Sequence, residues 1–146
     1  MIGRTRLRAA KTQDLEAVEQ VLAACGLPLT LSSEATPLHH VAVVGDSVVG
    51  CAYGEQHGQT FVLHTVAVLP AYRGHRLATH IVSVLLMRAR ANGCTKATVL
   101  TNDHPGFFAR YGFTLAPVDS IVREMQLPRD FLRRFGARTH YMCRRL

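Results

Sequence analysis

The sequence predicts an α/β (α+β) fold, a single domain with one mixed central sheet flanked by helices, and three observations predict it. Short β-branched runs alternate with amphipathic stretches along the chain, the order expected when strands and helices share one sheet. The segment Val66-Ala67-Val68-Leu69-Pro70-Ala71-Tyr72-Arg73-Gly74-His75-Arg76-Leu77-Ala78 reads as a strand entering a helix through a tight loop. A length of 146 residues with 48% apolar content suits one core, so a single domain covers 1–146.

Taken in order, Leu7 to Ala10 suits a first strand, and Thr12 is the expected N-cap of the helix that follows, with Asp14 and Glu16 in its first turn. Leu15, Val18, Leu22 and Cys25 give that helix one apolar face before Gly26-Leu27-Pro28 stops it. A polar connection then runs to Pro37. Val41-Ala42-Val43-Val44 and Val48 to Tyr53 flank Gly45-Asp46-Ser47, a hairpin signal, and Thr60 to Leu69 forms the next strand. In the following helix Leu77, Ile81, Leu85 and Ala89 share a stripe broadened by Ala78, Val82 and Leu86, and Asn92-Gly93 closes it. Lys96 to Thr101 is a strand, Gly106 to Tyr111 a short helix ended by Gly112, and Phe113 to Val118 another strand. Pro128 to Phe135 suits a helix, and Arg138 to Leu146 a final strand that is buried in the monomer or against a partner.

The loop before the helix that opens at Leu77 builds an anion site. Backbone N–H groups at a helix N-terminus lack intrahelical partners and carry the positive end of the macrodipole, so a phosphate there receives several hydrogen bonds at once. Arg73 and Arg76 add cationic side chains. The whole chain leans the same way, with 17 Lys+Arg against 10 Asp+Glu for a formal charge of +7. That sign favours anionic ligands. A nucleic-acid module adds exposed aromatics or a recognition helix to such a balance, and neither is evident, so nucleic acid is not the expected partner. No apolar run approaches the ~18–20 residues that cross a bilayer, and the first residues lack a signal-peptide core, so the expectation is a cytoplasmic protein. Cys25, Cys51, Cys94 and Cys143 are too far apart for a CxxC pair and read as buried or half-buried thiols.

These residues resemble the GCN5-related N-acetyltransferases, whose hallmark is a strand followed by R/Q-x-x-G-x-G/A opening a helix. Leu63 to Gly74 looks like that family's fourth strand and pyrophosphate loop, and Phe107-Phe108-Ala109-Arg110-Tyr111-Gly112-Phe113 looks like its second signature. The resemblance implies acetyl-CoA as cofactor, its pantetheine arm pairing with the backbone of Val66, Ala67 and Val68. It implies a pyrophosphate resting on Arg73, Gly74, His75, Arg76, Leu77, Ala78 and Thr79. Asn102 matches a position that contacts the pantetheine or the acceptor in the family, with Asn102-Asp103-His104-Pro105 as a natural turn and helix start its ordinary explanation, and Phe108 matches a cofactor-contacting position. Arg76 stands where the family has glycine; in ordinary helical geometry an arginine still presents its N–H and adds a cationic donor.

In such an enzyme the acceptor amine must be neutral to attack the thioester, and an aliphatic amine with a pKa near ~10.4 is almost wholly protonated at neutral pH. His64 is the candidate base, because the resemblance places it just before the cofactor-pairing segment and its pKa range suits the task. A His-x-x-Ala-Val arrangement like His64-Thr65-Val66-Ala67-Val68 is also similar to one carried by arylalkylamine acetyltransferases. The bland reading is a strand histidine hydrogen-bonded near the core. Family members often carry tyrosine at the Phe108 position as the acid for the departing thiolate; here Tyr111 is the nearby candidate, with core packing as its alternative. Glu55 and His57 are expected to line the acceptor site and His39-His40 to sit in a loop above it. Their spacing makes no metal site, since a closed zinc set needs four convergent ligands.

The run from Val99 through Phe113, with the Leu127-Pro128 tail, is similar to short acetylglutamate-synthase-like proteins and to arsenic-operon-associated acetyltransferases. Both imply a small, amino-acid-like amine as acceptor, and homodimerisation is compatible with the family's habits. Two other readings stay open: a catalytically silent CoA-binding regulatory module, and a basic nucleic-acid-binding protein.

Overall fold

The computed structural model describes residues 5–27, 36–101, 105–116 and 140–146. Strands β1 (Thr5–Ala9), β2 (Thr36–Val44), β3 (Ser47–His57), β4 (Thr60–Val68), β5 (Lys96–Thr101), β6 (Thr114–Leu115) and β7 (His140–Arg145) form one seven-stranded sheet in the order β1-β2-β3-β4-β5-β7-β6. The β4–β5 pair is parallel and the other pairs are antiparallel. Helix α1 (Leu15–Ala24) packs on one face of the sheet, while α2 (Leu77–Ala91) and the short α3 (Pro105–Ala109) cover the other. The mixed sheet flanked by helices agrees with the expectation.

Helix α2 owes its position to the expected stripe. Leu77, Ile81, Val82, Leu85, Leu86 and Ala89 are all buried against Ala52, Leu63 and Val99 of the sheet, whereas Met87 on the opposite side is 70% exposed. Each large side chain on that stripe contributes about 1.5–3 kcal/mol by leaving water. The last turn closes where expected, with Gly93 at φ +93° and Cys94 N–H donating to Ala89 O at 3.0 Å. On the other face Val18, Val21 and Leu22 of α1 meet Val41, Val43, Cys51 and Ala67.

The entry to α1 differs from the sequence reading. The helical run opens one residue earlier than a Thr12 cap implies, with Lys11 extended at φ −107° ahead of a 3-10 turn over Thr12–Asp14. The reason is Asp14, whose carboxylate accepts the Lys11 N–H at 2.7 Å and is itself held by Nη1 and Nη2 of Arg8 at 2.6 and 2.9 Å. This ties β1 to α1 through a nearly buried acid. The Arg8 hydrogen bonds, helped by the Lys11 N–H and against the cost of burial, pull the Asp14 carboxyl down to about 2. A depressed carboxyl contributes stability above its unfolded value and loses it as pH falls toward the folded one. The Tm of the wild type should therefore drop as pH is lowered from about 4 toward 2. Asp14→Asn should cost about 1–3 kcal/mol at neutral pH and flatten that part of the profile; an unchanged profile would remove Asp14 from the account.

Other boundaries shift for local reasons. His39 and His40 lie inside β2 rather than in a loop, because Thr36 to His40 pairs with Ala52 to Gln56 of β3. Phe113 is drawn into the core and its N–H bonds Phe108 O at 3.2 Å, so the strand expected from it starts at Thr114. Strand β7 is internal to the sheet, with Tyr141 and Met142 buried within this chain. Cys51 and Cys94 are buried and Cys25 and Cys143 half-buried, all as free thiols. The helix expected over 128–135 and residue Asn102 lie outside the described residues.

Candidate active site

The parallel pairing of β4 with β5 runs only from Thr60↔Lys96 to Leu63↔Val99. Beyond it β5 continues along β7, with Leu100↔Tyr141 and Thr101↔His140, while β4 continues along β3 with Ala52↔Val66, Cys51↔Ala67 and Gly50↔Val68. The two strands thus part, and among the described residues no strand lies on the β5 side of Val66 to Val68. Leu69 N–H donates across to Val49 O at 2.8 Å, so by strand alternation the polar groups of Val66 and Val68 face the cleft. An extended ligand amide could pair there.

The open edge leads directly to the N-terminus of α2. Gly74 at φ +85° turns the chain, and the first intrahelical bond is His80 N–H to Arg76 O at 3.0 Å. The N–H groups of Leu77, Ala78 and Thr79 precede that bond and so have no partner within the helix. No side chain caps this end. Leu77 buries its side chain in the core, leaving its contribution to the backbone, whereas Arg73, His75 and Arg76 are exposed.

Arg76 overturns one expectation. Rather than ordinary helical geometry it adopts φ +60°, ψ +24°, the left-handed region, and among the described residues it is the one non-glycine with positive φ. The loop keeps the shape that glycine would give it, with the strain borne by an arginine. Such a conformation costs about 1 kcal/mol or more. Arg73 also departs from a free phosphate clamp: its Nε donates to Val68 O at 3.0 Å and its Nη2 lies 3.5 Å from Cys25 Sγ, which is also 3.5 Å from Val68 O. The carboxyl end of β4 is thereby fastened to both the loop and α1.

His64 occupies a bulge. Tyr53 pairs with Thr65 and Gly54 with Leu63, so His64 is the extra residue of β4. Bulges re-aim side chains, and this one lets Phe61 and Leu63 before it and Val66 and Val68 after it pack on the same α2 face. His64 points the other way, its ring stacked on Tyr53 at 5.8 Å and 21°. Tyr53 also meets His39 at 5.5 Å. His64 Nε2 is 3.0 Å from Glu55 Oε1, and His57 Nε2 is 3.8 Å from Glu55 Oε2. Glu55 is only 3% exposed, whereas the His64 side chain is 38% exposed. Burial pushes the His64 pKa below the ordinary histidine value; the negative charge of Glu55 opposes this and His57 adds to it. A half-open imidazole that is neutral at pH 7 can accept a proton.

The second signature packs inward. Phe108 is buried, edge-on to Phe107 at 5.0 Å and to Phe113 at 5.8 Å, so its ring belongs to the core rather than to an open cofactor surface. Tyr111 lies against Phe107 at 5.1 Å, the packing role foreseen as its alternative. Sequence reasoning named Glu55 and His57 as lining residues but missed the contact that joins Glu55 to His64. The signal was present as a lone carboxylate directly after the apolar run from Val48 to Gly54, on a strand that the run predicts to be buried. Among the described residues no cluster of three or more His, Cys, Asp or Glu side chains could hold a metal ion, and no helix is long and apolar enough to cross a membrane.

The sequence profile of the Acetyltransferase (GNAT) family matches residues 8–113. No curated protein matches significantly. Rv2747 from Mycobacterium tuberculosis, solved in complex with CoA and a second ligand, is similar at 26% identity over 97% of this chain and 99% of its own, with a TM-score of 0.76. The N-acetylglutamate synthase of Neisseria gonorrhoeae, complexed with coenzyme A and N-acetyl-glutamate, shares 20% identity and a TM-score of 0.77 over 99% of this chain; the match spans 35% of the synthase. A GNAT family acetyltransferase from Brucella melitensis in complex with acetyl-CoA shares 22% identity over 76% of this chain and 83% of its own, with a TM-score of 0.66.

Proposed function

Because the chain belongs to the GNAT acetyltransferase family, we propose that it transfers the acetyl group of acetyl-CoA to the amine of a small, amino-acid-like molecule by direct attack on the thioester. The observation that carries this reading is the parting of β4 from β5 beyond Leu63 and Val99, which leaves one polar strand edge running into the bare N-terminus of α2. Acetyl-CoA supplies the activated acyl group. In the proposed complex the cleft-facing polar groups of Val66 and the N–H of Val68 align the pantetheine amides, while Ala67 between them turns its polar groups to β3 and only holds the edge in place. The N–H groups from Gly74 to Thr79, with the Arg76 side chain and the positive charge of the tethered Arg73, take the pyrophosphate.

His64 then removes the proton from the attacking amine. A free CoA thiol resembles cysteine in acidity, with a pKa of ~8.5, so the thiolate leaves without a dedicated acid at modest cost. Tyr111 is retained as the alternative donor, and Tyr111→Phe, which keeps the ring contact with Phe107, separates its hydroxyl from its packing. An amino-acid-like acceptor is supported by the likeness to a synthase solved with N-acetyl-glutamate and by the surplus of arginine, whose guanidinium pairs bidentately with carboxylate.

Thermal shift with acetyl-CoA, followed by a thiol-release screen against amino acids and amines, tests the reading. Cofactor that binds only the native state raises stability as RT ln(1 + [L]/Kd), about 2.7 kcal/mol at a hundredfold excess over Kd. No shift at saturating acetyl-CoA would sink the reading, and binding without thiol release toward any amine would favour a silent module. Arg76→Gly should give an apo protein as stable as the wild type or up to about 1 kcal/mol more so, because glycine relieves the strain at a small entropic cost. It should also bind acetyl-CoA several-fold more weakly, most visibly at low salt, having lost one cation.

A further inference from the structure

A carboxylate has no proton to donate, so the 3.0 Å contact between Glu55 Oε1 and His64 Nε2 places the hydrogen on His64 Nε2. Neutral imidazole carries one N–H, which leaves the lone pair of His64 on Nδ1. The ring has little freedom to turn: the bulge fixes its backbone, Tyr53 stacks on its face, and Glu55 is buried in β3. From this geometry we infer that Glu55 is the positioning residue of the base, holding His64 as the Nε2–H tautomer so that Nδ1 receives the proton of the acceptor amine.

The inference rests on His64 being the base. As the amine nitrogen bonds to the thioester carbon, its proton passes to Nδ1, and when the carbon–sulfur bond breaks, the electron pair leaves with the CoA sulfur. The imidazolium keeps Nε2–H on Glu55 and later releases the Nδ1 proton to water from its open side. Glu55 Oε2 is buried without a hydrogen-bond partner. A buried charge so poorly satisfied is costly beside a neutral ring and far less so beside a cation, so Glu55 favours the charged form that the reaction creates. His57 on the same strand opposes that form by its own charge when protonated. Among the described residues Tyr53 stacks on the ring, His39 lies behind Tyr53 with Asp14 acting on it, and the buried Cys51 thiol sits further along the same face of β3.

Side-chain nitrogen NMR of His64 in the protein without acceptor tests this without requiring turnover. Above its pKa, wild-type His64 should show protonation at Nε2. In Glu55→Gln the side-chain carbonyl still accepts that hydrogen, so the tautomer should persist while the His64 pKa falls by about one unit for loss of the negative charge. The acid limb of kcat should move with it, and KM for acetyl-CoA should stay put. Glu55→Ala should lose the tautomer preference as well. A wild-type ring protonated at Nδ1, or a Glu55→Gln protein with unchanged titration, would overturn the inference, and the wild-type spectrum decides even if neither variant folds. The base assignment fails separately: full turnover in His64→Ala removes the base while leaving the tautomer result standing, whereas a dead His64→Ala beside an unaltered Glu55→Gln removes only the role of Glu55.

Discussion

His64→Ala is expected to lower turnover by about 10²–10⁴, the contribution typical of a positioned acid or base, while acetyl-CoA affinity stays close to wild type. The separation follows from where His64 sits. The proposed cofactor contacts are made by backbone on the β5 side of β4 and at the start of α2, whereas the His64 ring lies on the opposite face with Tyr53 and Glu55. Removing the ring deletes no cofactor contact. Direct binding of acetyl-CoA and steady-state rates on the same preparation check both halves. A variant as active as wild type would take His64 out of the mechanism, and one that no longer binds cofactor would show that its role is structural. Burial lowers the pKa of the ring, so the wild-type rate should hold on the acid side to below the usual histidine value of ~6.5. In His64→Ala that limb should be absent.

The sequence readily revealed the scaffold around this group because the scaffold is built from periodicity. The α2 stripe and the strand from Lys96 to Thr101 follow the expected pattern, since burial on one face dictates residue type every third or fourth position, or nearly every position in a buried strand. The loop was also readable, as its glycine and basic residues advertise a turn and an anion. The geometry of the site depends on breaks in periodicity, and these are harder to see. Phe61 and Leu63 face the core on odd positions, and Val66 and Val68 on even ones. That change of parity is the trace of the bulge at His64, invisible to a reading that treats Thr60 to Leu69 as one regular strand. The Arg76 conformation was obscured for a different reason. Side-chain type argued for ordinary helical dihedrals, while the loop imposed a left-handed one at whatever residue stands there. Glu55 reaches His64 across two strands, a contact set by register rather than by sequence distance.

Gly54→Ala should have the largest effect on stability, because Gly54 is where that register is set. A Cβ at this position would overlap both Val62 O and the Cζ of Phe61, inside van der Waals contact. The Phe61 ring is fully buried and the other obstacle is backbone, so relief requires β3 and β4 to separate. Overpacking that moves backbone costs about 1–3 kcal/mol and sometimes more, a large share of the roughly 5–15 kcal/mol that holds a domain of this kind together. The midpoint of denaturant unfolding should fall accordingly. Gly50→Ala is the natural control, since its Cβ would meet Ala67 O at 3.1 Å and Ile81 Cδ1 at 3.2 Å, distances that a side chain and a small strand shift can absorb. If Gly54→Ala were no more destabilising than Gly50→Ala, the steric account would be wrong. The position also couples stability to chemistry, because Gly54 pairs with Leu63, the residue immediately before the bulge. Any folded Gly54→Ala protein must displace the segment that carries His64 relative to Glu55 on the neighbouring strand, whereas the Val66 to Val68 edge is held separately by its pairing with Gly50 to Ala52. Such a protein should therefore keep acetyl-CoA binding while losing turnover.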